Sequence, residues 1–324
     1  MQLPLLLACC LGVAVLAAMC VGRYPIDAGQ LLKLLAGDRS DPTAVSVLWQ
    51  VRGPRVLTSA LVGAALAASG VALQSVFRNP LAAPDLLGVS AGAALGAVLG
   101  ILSGWALFGI QLAAFLGGLV AVAMVWLIGT RLVLRDGMLS LVLAGFAIGS
   151  LLGALVSLVK LFADPLTQLP AMTFWLLGSF TSVSARELMV LASCLVLAFV
   201  PLMALRWQAD ALALSDDEVR SLGVRIVRLR VVLVLGATLA TAASVAVAGT
   251  VGWVGLIVPH AARLLVGVSV ARVLPVAMLL GALLMVLIDT LGRSLGSFEI
   301  APGVLTALIG APALFFLMAR NRNG

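Results

Sequence analysis

The chain has 324 residues, of which 63% are hydrophobic and 10% charged, and it carries a formal net charge of +7. Soluble domains run near half apolar and a quarter charged, so a water-soluble core does not account for this composition and the solvent is lipid. The basic residues sit singly between apolar runs, as flanks of membrane spans rather than a nucleic-acid surface, and 33 glycines with one tyrosine suit packed helices better than a β-barrel with aromatic girdles.

A helix needs about 20 apolar residues to cross the hydrocarbon. Cutting at charges and Pro/Gly breaks gives ten candidate spans, 3–21, 55–77, 86–103, 106–130, 138–160, 187–206, 230–249, 252–269, 273–292 and 302–319. No Lys or Arg precedes the first, and Met19 stands where a lipoprotein cleavage site wants a small residue before Cys20, so it reads as a retained helix. The stretch Gly22 to Pro54 follows, with Asp27 ahead of Gln30-Leu31-Leu32-Lys33-Leu34-Leu35 in the pattern of a short surface helix.

The third span carries Gly88, Gly92, Gly96 and Gly100, and the fifth carries Gly145, Gly149 and Gly153. Spacing of i, i+4 puts each set on one helical face, where a missing side chain lets a second helix approach closely. Two uses fit: packing within the subunit, or, for the fifth span, lining a translocation path. The eighth span is interrupted by Pro259, His260 and Arg263, and the sole histidine is expected to pack rather than ligate.

An even number of spans puts both termini on one side. With the termini in the cytoplasm, twelve basic residues become cytoplasmic (Arg78, Arg131, Arg135, Arg206, Arg220, Arg225, Arg228, Arg230, Arg263, Arg272, Arg320, Arg322). Eight become external (Arg23, Lys33, Arg39, Arg52, Arg55, Lys160, Arg186, Arg293), which favours this orientation. A faint internal repeat matches Gly63-Ala64-Ala65-Leu66-Ala67 to Gly236-Ala237-Thr238-Leu239-Ala240, each followed by a proline, Pro84 or Pro259. The copies would cross the membrane in opposite directions, as inverted repeats do.

The most polar piece is 207–229, which contains Leu212-Ala213-Leu214-Ser215-Asp216-Asp217-Glu218-Val219-Arg220-Ser221-Leu222-Gly223. Ser215 with Glu218 is a capping box, the acidic run suits a positive helix start, and Gly223 supplies a left-handed stop. A short helix with both ends specified and projecting into the cytoplasm is expected to dock a soluble partner, through Leu214, Val219 and Leu222; the alternative is a solvated connector.

Absences narrow the energy source. A phosphate-binding loop needs Gly-Lys-Ser/Thr, but the lysines follow Leu32 and Val159, so this chain does not hydrolyse ATP. Asp164, Asp289 and Glu299 lie at span ends, leaving no midplane carboxylate relay of the kind an ion-coupled carrier uses. Cys9, Cys10, Cys20 and Cys194 lie in apolar segments without metal-ligand spacing, and no catalytic residue, metal site or cofactor is expected.

Several ordered motifs resemble the permease family of iron-chelate and vitamin B12 importers. They are Gly70-Val71-Ala72-Leu73-Gln74, Arg78-Asn79-Pro80-Leu81-Ala82-Ala83-Pro84, Leu87-Gly88-Val89-Ser90 and Phe174-Trp175-Leu176-Leu177-Gly178-Ser179. Trp253-Val254-Gly255-Leu256-Ile257-Val258-Pro259-His260 with Arg263, and Glu299-Ile300-Ala301-Pro302-Gly303-Val304 through Gly310-Ala311-Pro312, complete the set. The likeness runs from about Tyr24 to Met318. It departs at Gly53, where leucine is common, and at Ala301, which displaces Glu299 by one residue from the family's Glu-x-Pro-x-Gly pattern.

The resemblance implies an all-α, multi-pass inner-membrane chain, 1–324 being one permease domain of ten helices with 207–229 as its coupling segment. It implies two copies around a central pathway, two cytoplasmic ATP-binding subunits and a periplasmic or lipid-anchored substrate-binding protein. Within it, Leu212 to Val224 matches the segment that sits in a groove of the ATPase, and Arg52, Arg55 and Arg293 match arginines that meet glutamates of the binding protein. The cargo expected first is an iron-siderophore or haem, then a corrinoid or an oxyanion such as molybdate; an ion-coupled secondary carrier is the remote alternative.

Overall fold

The computed structural model describes residues 2–22, 24–131, 137–295 and 298–320, and among them every regular element is helical. Arg23, Arg135 and Arg322, used in the charge count, lie outside the described residues. In chain order the helices are α1 (Gln2–Cys20), α2 (Ala28–Leu35), α3 (Pro42–Ser46), α4 (Gly53–Val76), α5 (Val89–Leu102), α6 (Leu107–Arg131) and α7 (Gly137–Leu161). Then come α8 (Gln168–Leu177), α9 (Ala185–Ala209), α10 (Asp216–Ser221), α11 (Ile226–Ala248), α12 (Val254–Val266), α13 (Val270–Ser294) and α14 (Pro302–Arg320).

Among the described residues, seven stretches are long and apolar enough to cross a membrane: α1, the continuous stretch ending in α4, α6, α7, α9, α11 and α13. Of the other three expected spans, α5 and α12 are shorter apolar helices and α14 is apolar over 302–315. The eighth candidate, 252–269, thus contracts to α12, because Gly252 and the left-handed Trp253 precede it and Gly267 at φ 79° ends it. Leu5, Phe146, Leu161, Leu197 and Phe315 are all more than half exposed, a surface that meets hydrocarbon or another protein rather than water.

The helix α4 forms the centre. It is buried along nearly all its length and packs against α13, α11, α12 and α9. Small residues make that density achievable: a methyl group on Gly63 would strike the Gly281 carbonyl of α13, and one on Gly70 would strike the Gly255 carbonyl of α12. The same device joins α5 to α6, where Gly92 abuts the Gly117 carbonyl and Gly96 that of Ala113.

The loops carry elements that hydropathy alone underdetermines. The expected surface helix is α2, capped by Asp27, whose carboxylate accepts from the Gln30 amide at 2.7 Å. Asp41 caps α3 and takes Tyr24 Oη at 2.9 Å, which ties the segment together. Between α3 and α4 the chain makes a π-helical turn over Val47–Arg52. The helix α8 lies in 161–186, where no span was expected; its ten residues are too few to cross a membrane.

Candidate functional site

Three places hold the candidate residues. At the end of the bundle where α4 stops and α11 starts, a 3₁₀ turn over Asp210–Ala213 leads into α10. The capping box is formed: the Ser215 amide donates to Glu218 Oε2 at 2.8 Å and the Glu218 amide to Ser215 Oγ at 3.4 Å. Hydrogen bonds from the Ser215 hydroxyl, at 2.7 Å, and then from its amide hold the Glu218 carboxyl below the usual range. Gly223 at φ 75° ends the turn, its amide donating to the Arg220 carbonyl at 3.0 Å.

This segment is bolted to two helices. Asp216 accepts from Arg230 Nη2 at 2.8 Å and Nη1 at 3.0 Å, and from Arg78 Nη2 at 2.8 Å. Arg78 also donates Nε to the Leu212 carbonyl at 2.6 Å and Nη2 to that of Leu214. Its backbone is left-handed at φ 48°, a conformation rare outside glycine and held here by those three acceptors. Hydrogen bonds from Arg230, then Arg78, keep the Asp216 carboxyl below the ordinary aspartate range.

The face expected to dock divides in two. Leu212 and Val219 are buried in the chain's own core, at 1% and 0% exposure, so they fasten the segment instead of presenting it. Leu214 and Leu222 remain outside at 41% and 62%, beside the exposed Asp217–Arg220 pair. Of the apolar residues expected to dock, only Val219 lies within the helix; Leu214 precedes its N-cap Ser215 in extended backbone and Leu222 is its C-cap residue.

At the opposite end, the arginines Arg52, Arg55 and Arg293 come together, but their guanidinium groups are engaged within the chain. Arg52 Nη1 donates to the carbonyls of Met19 at 2.7 Å and Cys20 at 3.1 Å, and its Nη2 to that of Tyr24. Arg293 donates Nη1 to the Val21 carbonyl at 2.7 Å and Nη2 to that of Ala18. The carbonyls of Ala18, Met19 and Cys20 are the electronegative end of α1 and those of Val21 and Tyr24 follow it, so two cations cap one helix terminus and hold its loop. Arg55 grips Asp289 with Nε and Nη2 at 2.9 and 2.8 Å, and Glu299 with Nη1 at 3.1 Å. Asp289 is 1% exposed at its side chain and Glu299 35%, so the outer carboxylate is the accessible one.

Beside Arg55 lies a cavity of about 550 Å³ lined by Gln111, Trp175, Ser179, Thr181, Glu299 and Pro302 among others. The ends of α8 and α11 form its wall, joined by the Ser179 amide donating to the Ala248 carbonyl at 2.8 Å. Close approach is again set by glycine: a methyl on Gly303 would strike the Leu177 carbonyl.

The glycine strips behave differently from one another. Gly88, expected on the third span, sits just before α5 as a left-handed cap at φ 71°, facing Gly145 and Gly149. Gly92 and Gly96 are sealed against α6, and a methyl on Gly145 would strike the Leu86 carbonyl. Gly149 and Gly153 have open space where a side chain would go. His260 is half-buried on α12, its Nε2 without a hydrogen-bond partner among the described residues.

Sequence reasoning missed Arg78, Arg230, Gln74 and Asp210. Arg78 and Gln74 stand inside the quoted motifs, so the signal was their fixed place there. Gln74 Oε1 accepts from Arg263 Nη1 at 2.5 Å, and Asp210 caps α13 by accepting from the Val270 amide at 2.5 Å. These partners lie 189 and 60 residues apart, beyond any local pattern.

The profile of the FecCD transport family matches residues 10–320. The molybdate import system permease protein MolB of Haemophilus influenzae is 39% identical over 308 residues, 94% of this chain and 91% of that one. A probable iron chelatin transport system permease of Helicobacter pylori (strain ATCC 700392 / 26695) is 37% identical over 277 residues, covering 86% and 83%. The vitamin B12 import system permease protein BtuC of Vibrio cholerae is 37% identical over 282 residues, covering 86% and 84%. A solved chain described as an inward-facing conformation of a metal-chelate type ABC transporter superposes with a TM-score of 0.89 at 38% identity, covering 98% of this chain and 99% of that one.

Proposed function

The chain belongs to the FecCD transport family, the permeases of ABC importers, and from that premise we infer that it forms, as a homodimer, the pathway of a binding-protein-dependent importer of a metal chelate. Iron-siderophore or haem is the cargo we favour, supported by the iron-chelate relatives. A molybdate-type oxyanion is the second reading, favoured by the relative at 39% identity. Ten membrane crossings, an inverted repeat through α4 and α11, and both termini in the cytoplasm complete the reading.

One observation carries the proposal: a capped helix held outside the bundle by Arg78 and Arg230 through Asp216. A motion of α10 is then a motion of α4 and α11, and energy released on a soluble subunit reaches the pathway through two ion pairs. Leu214 and Leu222 are the exposed contacts for two cytoplasmic ATP-binding subunits. Gly149 and Gly153, with open space before them, face the partner copy or the cargo. Arg52, Arg55 and Arg293 mark the docking face of the binding protein, where a partner glutamate competes with Glu299 for Arg55.

Reconstitution tests this. The permease in proteoliposomes with its ATPase and binding protein should take up radiolabelled iron-siderophore or haem only with ATP. Uptake of molybdate in preference selects the second reading. Uptake driven by a proton gradient without ATP overturns both.

A further inference from the structure

Gln111 is a polar side chain with nothing to hold. It stands in the second turn of α6, is 9% exposed, and its amide makes no hydrogen bond among the described residues. Its polar atoms are nevertheless not sealed in protein, so they open onto accessible space. That space is the cavity of about 550 Å³ beside Arg55, with a narrower recess of about 220 Å³ that shares Gln111, Ala246 and Val247 with it. A buried amide without a partner is unfavourable, and an occupant that hydrogen-bonds to it relieves the cost.

The rest of the wall fixes what kind of occupant fits. Its charged residues are Arg55 and Glu299, and they neutralise each other. Nη1 of Arg55 meets Glu299 at 3.1 Å, while Nε and Nη2 meet Asp289 at 2.9 and 2.8 Å. Each guanidinium nitrogen is thus engaged already, and the accessible Glu299 carboxylate repels an anion. Ser179 Oγ and Thr181 Oγ1, 2.7 Å apart, supply hydroxyls that donate or accept. Trp175 and Phe298 add aromatic faces. An aromatic-lined cavity with a few convergent neutral donors and acceptors, within a range of roughly 300–1,000 Å³, has the form of a small-molecule site.

We propose that this cavity binds an uncharged, amide-bearing organic chelate, with one ligand amide hydrogen-bonded to Gln111 and the body of the ligand against Trp175. A ligand amide carries one donor and one acceptor, which match the carbonyl and amino groups of Gln111 as a reciprocal pair. An oxyanion, by contrast, brings charge to a wall whose one cation is already matched. The inference rests on the importer reading and, of its two cargoes, takes the chelate.

Binding to the permease assembled with its ATPase in lipid nanodiscs tests it. The probe is a radioiron-labelled ferric cyclic-peptide trihydroxamate, a chelate of zero net charge that carries free backbone amides. Wild type should bind it, and molybdate in large excess should not displace it. Gln111→Leu nearly keeps the size of the side chain and removes its hydrogen bonding. It should weaken binding about five-fold, the scale of one ordinary hydrogen bond. Ala171 lines the cavity from an exposed position on α8, so Ala171→Trp fills space without entering the core and should abolish binding. Leu197→Trp, exposed on α9 and outside the cavity, should bind as wild type does. Unchanged binding in either cavity variant, an equal loss in Leu197→Trp, or displacement by molybdate overturns the proposal. ATP-driven chelate uptake by wild type without binding that Ala171→Trp removes sinks this inference alone. Binding blocked by Ala171→Trp in a permease that imports nothing with ATP sinks the importer reading instead, and leaves the cavity a chelate site.

Discussion

At the residue scale, glycine and arginine do opposite things with the backbone. Gly63 lets the α4 backbone touch that of α13, and Gly63→Ala forces a methyl against the Gly281 carbonyl. The expected loss is about 1–3 kcal/mol, read as a lowered melting temperature in detergent. Gly149 has no such neighbour, so Gly149→Leu should leave melting unchanged yet remove most ATP-dependent uptake if the space belongs to the pathway or the partner copy. Gly137→Leu at the start of α7 is the control; equal uptake in the two would place the pathway elsewhere. Arg52 is buried at 4% exposure with carbonyls of α1 and its following loop as acceptors. Arg52→Ala leaves those carbonyls without donors, at about 1.5–3 kcal/mol, and should raise proteolysis between α1 and α2.

At the element scale, α10 is a short helix made permanent by its attachments rather than by its length. Ser215→Ala removes the cap and should lower local helix stability by about 1 kcal/mol, seen as faster amide exchange over Asp216–Ser221. Leu222→Asp puts a charge on the exposed contact and should abolish cargo-stimulated ATP hydrolysis while insertion persists. Asp216→Asn breaks the link to Arg78 and Arg230 and should let ATP be hydrolysed without transport, with the ATPase still crosslinking to α10. Loss of that crosslink would mean the helix itself had come away. The pH response has a definite sign: the Asp216 carboxyl is depressed when folded, so its contribution is full above the unfolded value of about 3.9 and fades only as pH falls through the lower folded value. Coupling should therefore not titrate through Asp216 near neutrality, and a midpoint there would rule out the ion pair as drawn.

At the scale of the whole molecule, the two ends of the bundle carry charge and the lateral faces are apolar. The face of α7 exposes Phe146 beside the open glycines Gly149 and Gly153, a surface suited to a second copy. Phe146→Glu should convert a dimer to monomers in analytical ultracentrifugation, whereas Leu197→Glu on α9, on a lipid-facing side, should not. At the other end, Glu299 already satisfies the outer half of Arg55. Removing it in Glu299→Gln should strengthen association with the binding protein, most at low salt where the freed charge is unscreened. Unaltered affinity at every ionic strength would leave Arg55 a purely internal clamp of α4 to α13.

How much of this was legible without coordinates follows from the range of each interaction. Hydropathy is additive along the chain, so the membrane class and the positions of the apolar helices were readable, as was α10, whose cap and stop lie within nine residues, Ser215 to Gly223. The contraction of the eighth span to α12 and the existence of α8 were not, because irregular backbone and sub-span helices inside a bundle depend on neighbours that satisfy their polar groups. Likewise Arg52, Arg55 and Arg293 were visible as a set of charges at one end, but not what they hold. Helix ends expose carbonyls only in three dimensions, and Arg55 meets Asp289 across 234 positions of sequence. Sequence alone determined the solvent, the long apolar helices and α10, because these follow from local composition and capping. Tertiary structure decided which charges are clamps and which glycines face open space, because those depend on what the fold brings alongside.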